Sequence, residues 1–307
     1  MQTSIKTPVC FRGHGLHSGK SARMTLRPAP AGHGICFRRT DIGNKPVDIP
    51  ARWDLVAQSP LCTRLELPCG TSVSTVEHLM AALAGCGVHN VLAEIDGPEV
   101  PILDGSAVTF VRGILRAGVS QIEAPLSVLE VIKTVEFRCA AGWARLSPGQ
   151  GMSMDFHISF PDAAIGDQNK HMDLANGAFV RELSDSRTFC RQQDVDHMLA
   201  NGLAQGGIPG ENAVVFDGAA VVSPGGLRHQ DEPVRHKMLD ALGDLALAGA
   251  PIIGHYEGFR SGHAITNSLL CKMFQTPGAV RLRRCDGRRA AALPGAGVAH
   301  HEIPKVA

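Results

Sequence analysis

The 307-residue sequence has no CxxC pair among its nine cysteines, no apolar run approaching 18 residues, no sustained lysine/arginine block and no HExxH motif. Each absence closes a class. Scattered cysteines, odd in number, suit reduced thiols and supply neither a disulfide framework nor a cysteine-rich zinc site. Without a long apolar run there is no candidate membrane span, and the first residues, MQTSIKTPVCFRGHGLHSGK, lack the apolar core of a signal peptide. A cytoplasmic protein with no stable membrane insertion is therefore expected. A formal net charge of +1 gives no electrostatic footprint for nucleic acid. The glycine clusters GGIPG and SPGGL match no phosphate-loop spacing. If a metal is bound, histidines and carboxylates must hold it.

What is present is 44% hydrophobic residues, over a length that can bury one large core or two ordinary ones. Residues 1–124 mix short β-rich pieces with turns and carry the helical pattern TVEHLMAALAG and the buried-strand pattern VLAEI. EVPILDGSA reads as a strand and tight turn, Ala107 to Ala117 as a second helix, and GVSQIEAP as a linker, which puts a domain boundary near residue 124. Residues 125–280 repeat the plan: strands to about Phe160, an irregular polar region from Pro161 to Gly226, a helix from Val234, the strand PIIGHYEG and the turn SGHAITN. The Arg-rich, Ala/Gly-rich tail, 281–307, is expected to be poorly ordered. At an offset of 158 residues Val76 meets Val234, His78 meets His236, Met80 meets Met238 and Gly85 meets Gly243. That is the pattern of a degenerate duplication, although helical periodicity alone forces some such matches.

The stretch VRHKMLDALGDLALAG sets His236, Asp240 and Asp244 in one row, since at about 100° per residue they fall within roughly 80° of one another. A His and an Asp four apart can reach one metal ion; the same row also suits a solvated polar face. Around His78 the same helix face carries Ala81, Ala82 and Gly85, and Gly243 lies seven residues beyond His236, so another backbone could approach either histidine closely. If the two helices face each other there, His78, His236 and Asp240 supply three N/O ligands, the protein share of an open catalytic zinc site. Glu77 points about 100° away from His78, where a general base belongs, but Ser74-Thr75-Val76-Glu77 also has capping-box spacing. Both readings stand. His263, between Gly262 and Ala264, either projects into a cleft or is solvated, and Asp244 either orients it or is solvated too. Ser186-Arg187-Thr188-Phe189 offers a hydroxyl and a ring.

Taken in order, GHGLHSGK, STVEHLMAALAG, EVPILDGSA, SRTF, VRHKMLDALGDLAL and SGHAITN resemble the UDP-3-O-acyl-N-acetylglucosamine deacetylases of lipid A biosynthesis, from about residue 3 to residue 275. The resemblance implies an α+β fold of two similar domains, each a β-sheet layered on helices, with the helices packed between the two sheets. It implies Zn²⁺ held by His78, His236 and Asp240, with Glu77 as general base and His263 as general acid or oxyanion stabiliser. Thr188 would donate a hydrogen bond to the oxyanion, Asp244 would buttress His263, and Lys237, Phe189 and Phe160 would contact substrate. The implied reaction hydrolyses the N-acetyl group of acylated UDP-N-acetylglucosamine to acetate and a free 2-amine, in a protein expected to be a monomer. Two places depart from the pattern: Gly142 precedes Trp143 where members often have Lys, leaving Arg145 as a replacement contact for UDP, and Cys190-Arg191 stands where apolar residues line an acyl passage. Rival readings are a zinc amidohydrolase for another N-acetyl sugar or peptide, and a metal-free ligand-binding module.

Overall fold

The computed structural model describes every residue except Gln58, Pro60 and Ala307. In the first half, β1 (Val9–His14), β2 (Ser21–Pro28), β3 (Ile35–Arg39) and β4 (Val47–Pro50) precede α1 (Glu77–Gly85), β5 (Val91–Ile95) and α2 (Val108–Ala117). In the second, β6 (Ser127–Val131), β7 (Val135–Arg138), β8 (Trp143–Ser147), β9 (Met152–Ser159) and β10 (Asp167–Asp173) lead through α3 (Gln192–Ala200) to α4 (Glu232–Leu245), β11 (Ile252–Phe259), α5 (His263–Gln275), β12 (Val280–Arg284) and α6 (Gly287–Ala291). The fold is α+β.

Strand alternation sets which face each sheet buries. In β9 every second residue, from Met152 through Met154 and Phe156 to Ile158, is buried. The first sheet runs β1-β2-β5-β3-β4, antiparallel at every pairing except the parallel β5–β3 contact. The second runs β7-β8-β11-β9-β10, again antiparallel except at β11–β9. Both halves thus share one strand order and one set of senses. In each, a histidine-bearing helix precedes the central strand and a second helix follows it. His78 and His236 thus occupy the same place in the topology of their respective halves. The second sheet is widened by β6, parallel to the start of β11, and by β12 on the outer edge of β6.

Helix α2 packs on β1, α5 on β7 and β8, and α4 on β9 and β10, while α1 and α4 meet face to face. One apolar cluster, including Phe37, Leu79, Leu239 and Tyr256, runs through both halves. Among the described residues no helix is long and apolar enough to cross a membrane, and all nine cysteines are free thiols.

Three local expectations fail for identifiable reasons. The GVSQIEAP linker contains a strand, Val119–Ile122, that pairs antiparallel with Gln2–Ile5; pairing over such a sequence distance leaves no local signal. The irregular polar region holds β10, a π-helical turn at Phe179–Leu183, α3, and a small sheet of Phe189–Arg191, Val214–Asp217 and Ala220–Val221. The tail expected to be poorly ordered is also built in. Its strand β12 pairs with β6 from Ser127↔Arg284 to Val131↔Val280, and α6 is capped by Asp286, which accepts from the Arg289 N–H at 2.8 Å. Leu293 then packs with Leu126, Val128 and Ile253, and Arg112 donates to the Pro304 carbonyl at 2.8 Å. Composition misleads here because an edge strand with arginines on both faces shows no alternation.

Candidate active site

The site begins with a glycine. A Cβ at Gly243 of α4 would lie 2.0 Å from the Glu77 carbonyl oxygen, so only glycine lets α4 touch the start of α1 backbone to backbone. Gly85, its aligned counterpart, does not serve the helix contact: its missing Cβ makes room for the Phe179 ring, which would lie 2.0 Å away. The polar row on α4 is therefore buried rather than solvated. His236 is 2%, Asp240 4% and Asp244 2% exposed, and on α1 Glu77 is 3% and His78 4% exposed.

His78, His236 and Asp240 each offer a ligand atom, all within 4.8 Å of one another. His236 Nδ1 sits 3.0 Å from the Ser186 carbonyl, which can only accept, so Nδ1 carries the proton and Nε2 presents a lone pair to the cluster. That Nε2 lies 3.3 Å from Asp240 Oδ1, and His78 Nε2 lies 3.5 Å from the same oxygen. Neither approach has hydrogen-bond geometry, and both Asp240 Oδ1 and His78 Nδ1 are buried without a hydrogen-bond partner. A buried carboxylate oxygen facing an imidazole lone pair is costly unless a cation lies between them. The donor set, two imidazoles and a carboxylate, is one that zinc accepts. By this test the residues fit the ion.

Electrostatics agree. Burial, with Asp240 opposing, holds His236 down at about 4, so it is neutral near pH 7. Burial alone would raise Asp240, but His236, Lys237 and His263 outweigh it and hold the carboxyl well below its usual range. Lys237 Nζ donates to Asp240 Oδ2 at 2.7 Å, leaving Oδ1 free.

Beside the cluster stand Glu77 and His263. Glu77 does not cap α1, which has no side-chain cap; its Oε2 accepts from the Thr63 N–H at 3.0 Å, and Oε1 lies 3.7 Å from His263 Nε2. Burial raises the Glu77 pKa, with His263 opposing. His263 is the first residue of α5 rather than part of a turn. Burial, like a helix N-terminus, disfavours a cation there, yet Asp244, Glu77 and Asp240 raise its pKa to about 9. Its Nδ1 donates to Asp244 Oδ2 at 2.9 Å, while Asp244 Oδ1 accepts from the Thr63 hydroxyl at 2.5 Å.

One wall comes from the SRTF segment. Arg187 is anchored to Glu232, at the start of α4, by Nε–Oε1 at 2.9 Å and by its own N–H at 2.9 Å. That anchor fixes Ser186 on His236 and brings Phe189 to 6.3 Å from the His236 ring. Phe160 packs edge-on against Phe189 at 5.5 Å. Thr188 lies between, its backbone tied to Gly105 and Val214. Arg145 is engaged elsewhere: it pairs with Glu136 at 2.7 Å and Glu257 at 3.2 Å and lies over the Trp143 ring. Glycine at 142 follows from crowding, because a Cβ there would lie 2.4 Å from the Phe259 carbonyl oxygen. Cys190 is half-buried, and Arg191 pairs with Asp162.

The site also contains residues that the sequence reading did not single out. Thr63 ties Glu77 to Asp244. Glu99 accepts from the His17 and Ser18 N–H groups at 2.9 and 2.8 Å and from the Thr75 hydroxyl at 2.9 Å, fastening the GHGLHSGK loop to the approach to α1. The GHGLHSGK and EVPILDGSA strings are visible in the sequence, but the Glu99 contacts that join them to Thr75 and to each other span tens of positions.

A buried His₂Asp cluster flanked by an ionisable Glu and an Asp-oriented His, at the junction of two α+β halves, has the donor set and acid–base pair of a metal-assisted hydrolase. Similarity narrows the class. The family model for UDP-3-O-acyl N-acetylglycosamine deacetylase matches residues 2–275. The UDP-3-O-acyl-N-acetylglucosamine deacetylase of Anaeromyxobacter sp. (strain Fw109-5) is 45% identical over 283 residues, covering 92% of this chain and 91% of that protein. Proteins of the same name from Shewanella frigidimarina (strain NCIMB 400) and Phenylobacterium zucineum (strain HLK1) are each 43% identical, covering 88% and 92% of this chain and 88% and 96% of their own. The chain belongs to the UDP-3-O-acyl N-acetylglycosamine deacetylase family.

Proposed function

We propose that this protein is a zinc-dependent hydrolase that removes the N-acetyl group from UDP-3-O-acyl-N-acetylglucosamine, the deacetylation step of lipid A biosynthesis. The observation that carries the reading is the buried, partnerless Asp240 Oδ1 facing His78 and His236, with Glu77 and His263 alongside. Zinc held by His78, His236 and Asp240 would supply Lewis acidity, which polarises a carbonyl and makes water easier to deprotonate. Glu77 takes the proton of the water that attacks the acetamide carbonyl; its burial raises its basicity into a useful range. The Thr188 hydroxyl donates to the oxyanion of the tetrahedral intermediate. His263, held protonated through Asp244, protonates the departing amine nitrogen, so that the C–N bond breaks to acetate and a free 2-amine. Lys237, Phe189 and Phe160 form the substrate-contacting wall. The test is acetate release from UDP-3-O-acyl-N-acetylglucosamine and from unacylated UDP-N-acetylglucosamine. If the acyl chain supplies remote binding energy, the acylated compound is turned over with much the higher kcat/KM. Equal turnover of the two would overturn the assignment of substrate.

A further inference from the structure

The turn that delivers His263 has little of its own to hold it. Between β11 and α5 the chain runs Arg260-Ser261-Gly262, with Arg260 at φ 49°, a left-handed conformation that strains a residue with a Cβ. Gly262 then begins α5 as an N-cap with no side-chain hydrogen bond. Besides the bond from the Arg260 N–H to the His157 carbonyl at 2.8 Å, the turn is fastened by a buried phenol. Tyr256, the one tyrosine of the chain, lies in β11 and is 0% exposed, with its hydroxyl 3.0 Å from Ser261 Oγ and 3.1 Å from Thr266 Oγ1. Gly258 leaves room for that reach, since a Cβ there would lie 3.0 Å from the Tyr256 ring and 2.9 Å from the Phe156 ring.

The hydroxyl protons give these bonds a direction. Thr266 donates to the Gly262 carbonyl at 3.3 Å, so the Tyr256 O–H donates to Thr266 and the Ser261 O–H donates to Tyr256. Each proton is used, and the chain of bonds ends on the residue before His263. Burial pushes the phenol up to about 12, with Ser261 and Thr266 opposing, so it stays a neutral donor near pH 7. Ser261 stands two residues before His263 and Thr266 three after it, so the phenol grips the first turn of α5 from both sides. His263 depends on that turn, because its Nδ1 meets Asp244 of α4 at 2.9 Å while its Nε2 faces Glu77 of α1 at 3.7 Å. We propose, on the reading of His263 as general acid, that Tyr256 is a positioning residue for the deacetylation: through Ser261 and Thr266 its hydroxyl holds the first turn of α5 where the imidazole meets both Asp244 and the departing amine nitrogen.

Tyr256→Phe removes the hydroxyl and keeps the ring. Acetate release from UDP-3-O-acyl-N-acetylglucosamine by the whole zinc-loaded protein should show kcat lowered about tenfold or more, with KM and bound zinc unchanged. Thr266→Val breaks the same chain of bonds from the α5 side, should have the same effect, and serves if Tyr256→Phe does not fold. Both substitutions are then repeated in a His263→Ala background. A hydroxyl that acts through His263 has nothing left to position there, so neither substitution should slow His263→Ala further. Slowing of both backgrounds by the same factor is what a merely structural tyrosine would give, and it would overturn the proposal. So would a wild-type kcat in folded Tyr256→Phe, or a loss of bound zinc that accounts for the lost rate. A wild-type kcat in His263→Ala alone would sink the assignment of the general acid instead, which keeps the two failures apart.

Discussion

Gly243→Ala places one methyl group where α4 touches α1. The new Cβ would lie 2.0 Å from the Glu77 carbonyl oxygen, 2.8 Å from its carbonyl carbon and 3.1 Å from its Cα. An unstrained C···O contact is about 3.3 Å, so the helices must part locally by roughly 1.3 Å. His78 follows Glu77 and moves with α1, whereas His236 and Asp240 stay with α4. A metal site tolerates errors of only about 0.2 Å in its ligand distances, so the displacement should release zinc. Misplacing reacting groups by about 1 Å costs on the order of 10²-fold in rate, and kcat/KM should fall by at least that much. Stability changes less, because overpacking costs about 1–3 kcal/mol while exchanging Gly for Ala within a helix returns about 1 kcal/mol. The assay is zinc content, acetate release and thermal unfolding of Gly243→Ala beside Gly287→Ala, a position with no atom within 4 Å of the added Cβ. A folded Gly243→Ala that keeps wild-type zinc affinity and rate would refute the argument that this glycine sets the site.

Asp240→Ala or His236→Ala removes a ligand, and zinc and activity should be lost together; Glu77→Gln should remain zinc-loaded while slowing on the order of 10²-fold or more. If Glu77→Gln instead loses zinc and keeps its rate per zinc, Glu77 is a ligand and not the base. The His263 imidazolium, near 9 with Asp244, Glu77 and Asp240 around it, is the form that donates, so kcat/KM should fall as pH rises on the alkaline side. A cation at the cluster shifts that limb below 9, and His263→Ala should remove it. Burial, with the Met1 ammonium adding to it, holds His89 at about 4, below the roughly 6.5 of an unfolded histidine. The folded state therefore excludes a proton that the unfolded state binds, and the stability present above about pH 6.5 is lost as pH falls towards 4, by at most about 3 kcal/mol. Urea midpoints at pH 7.5 and 5 should differ less in His89→Gln than in wild type.

Helical periodicity made the centre legible. His236, Asp240 and Asp244 fall in a row by spacing alone, and His78 is found by aligning one helix on the other. Whether that row was wet or dry could not be read locally, because the answer is Gly243 against the Glu77 backbone, a contact between halves. The same holds for Glu77: its capping-box spacing is real in the sequence, but the carboxylate turns to Thr63 and His263. Thr63, Glu99 and the Arg187–Glu232 pair stayed hidden since each acts across 14 or more positions. The strands Val119–Ile122 and Val280–Arg284 were missed because each is defined by its partner, Gln2–Ile5 and β6, and not by an alternation of its own.

His78, His236 and Asp240 are proposed to hold a catalytic metal. The most direct test is to strip the purified protein with a strong chelator, titrate Zn²⁺ back, and follow bound metal and acetate release from UDP-3-O-acyl-N-acetylglucosamine in the same samples. Activity should vanish on stripping and return in proportion to bound zinc, reaching its plateau at about one equivalent. Full activity in demonstrably metal-free protein would contradict the account.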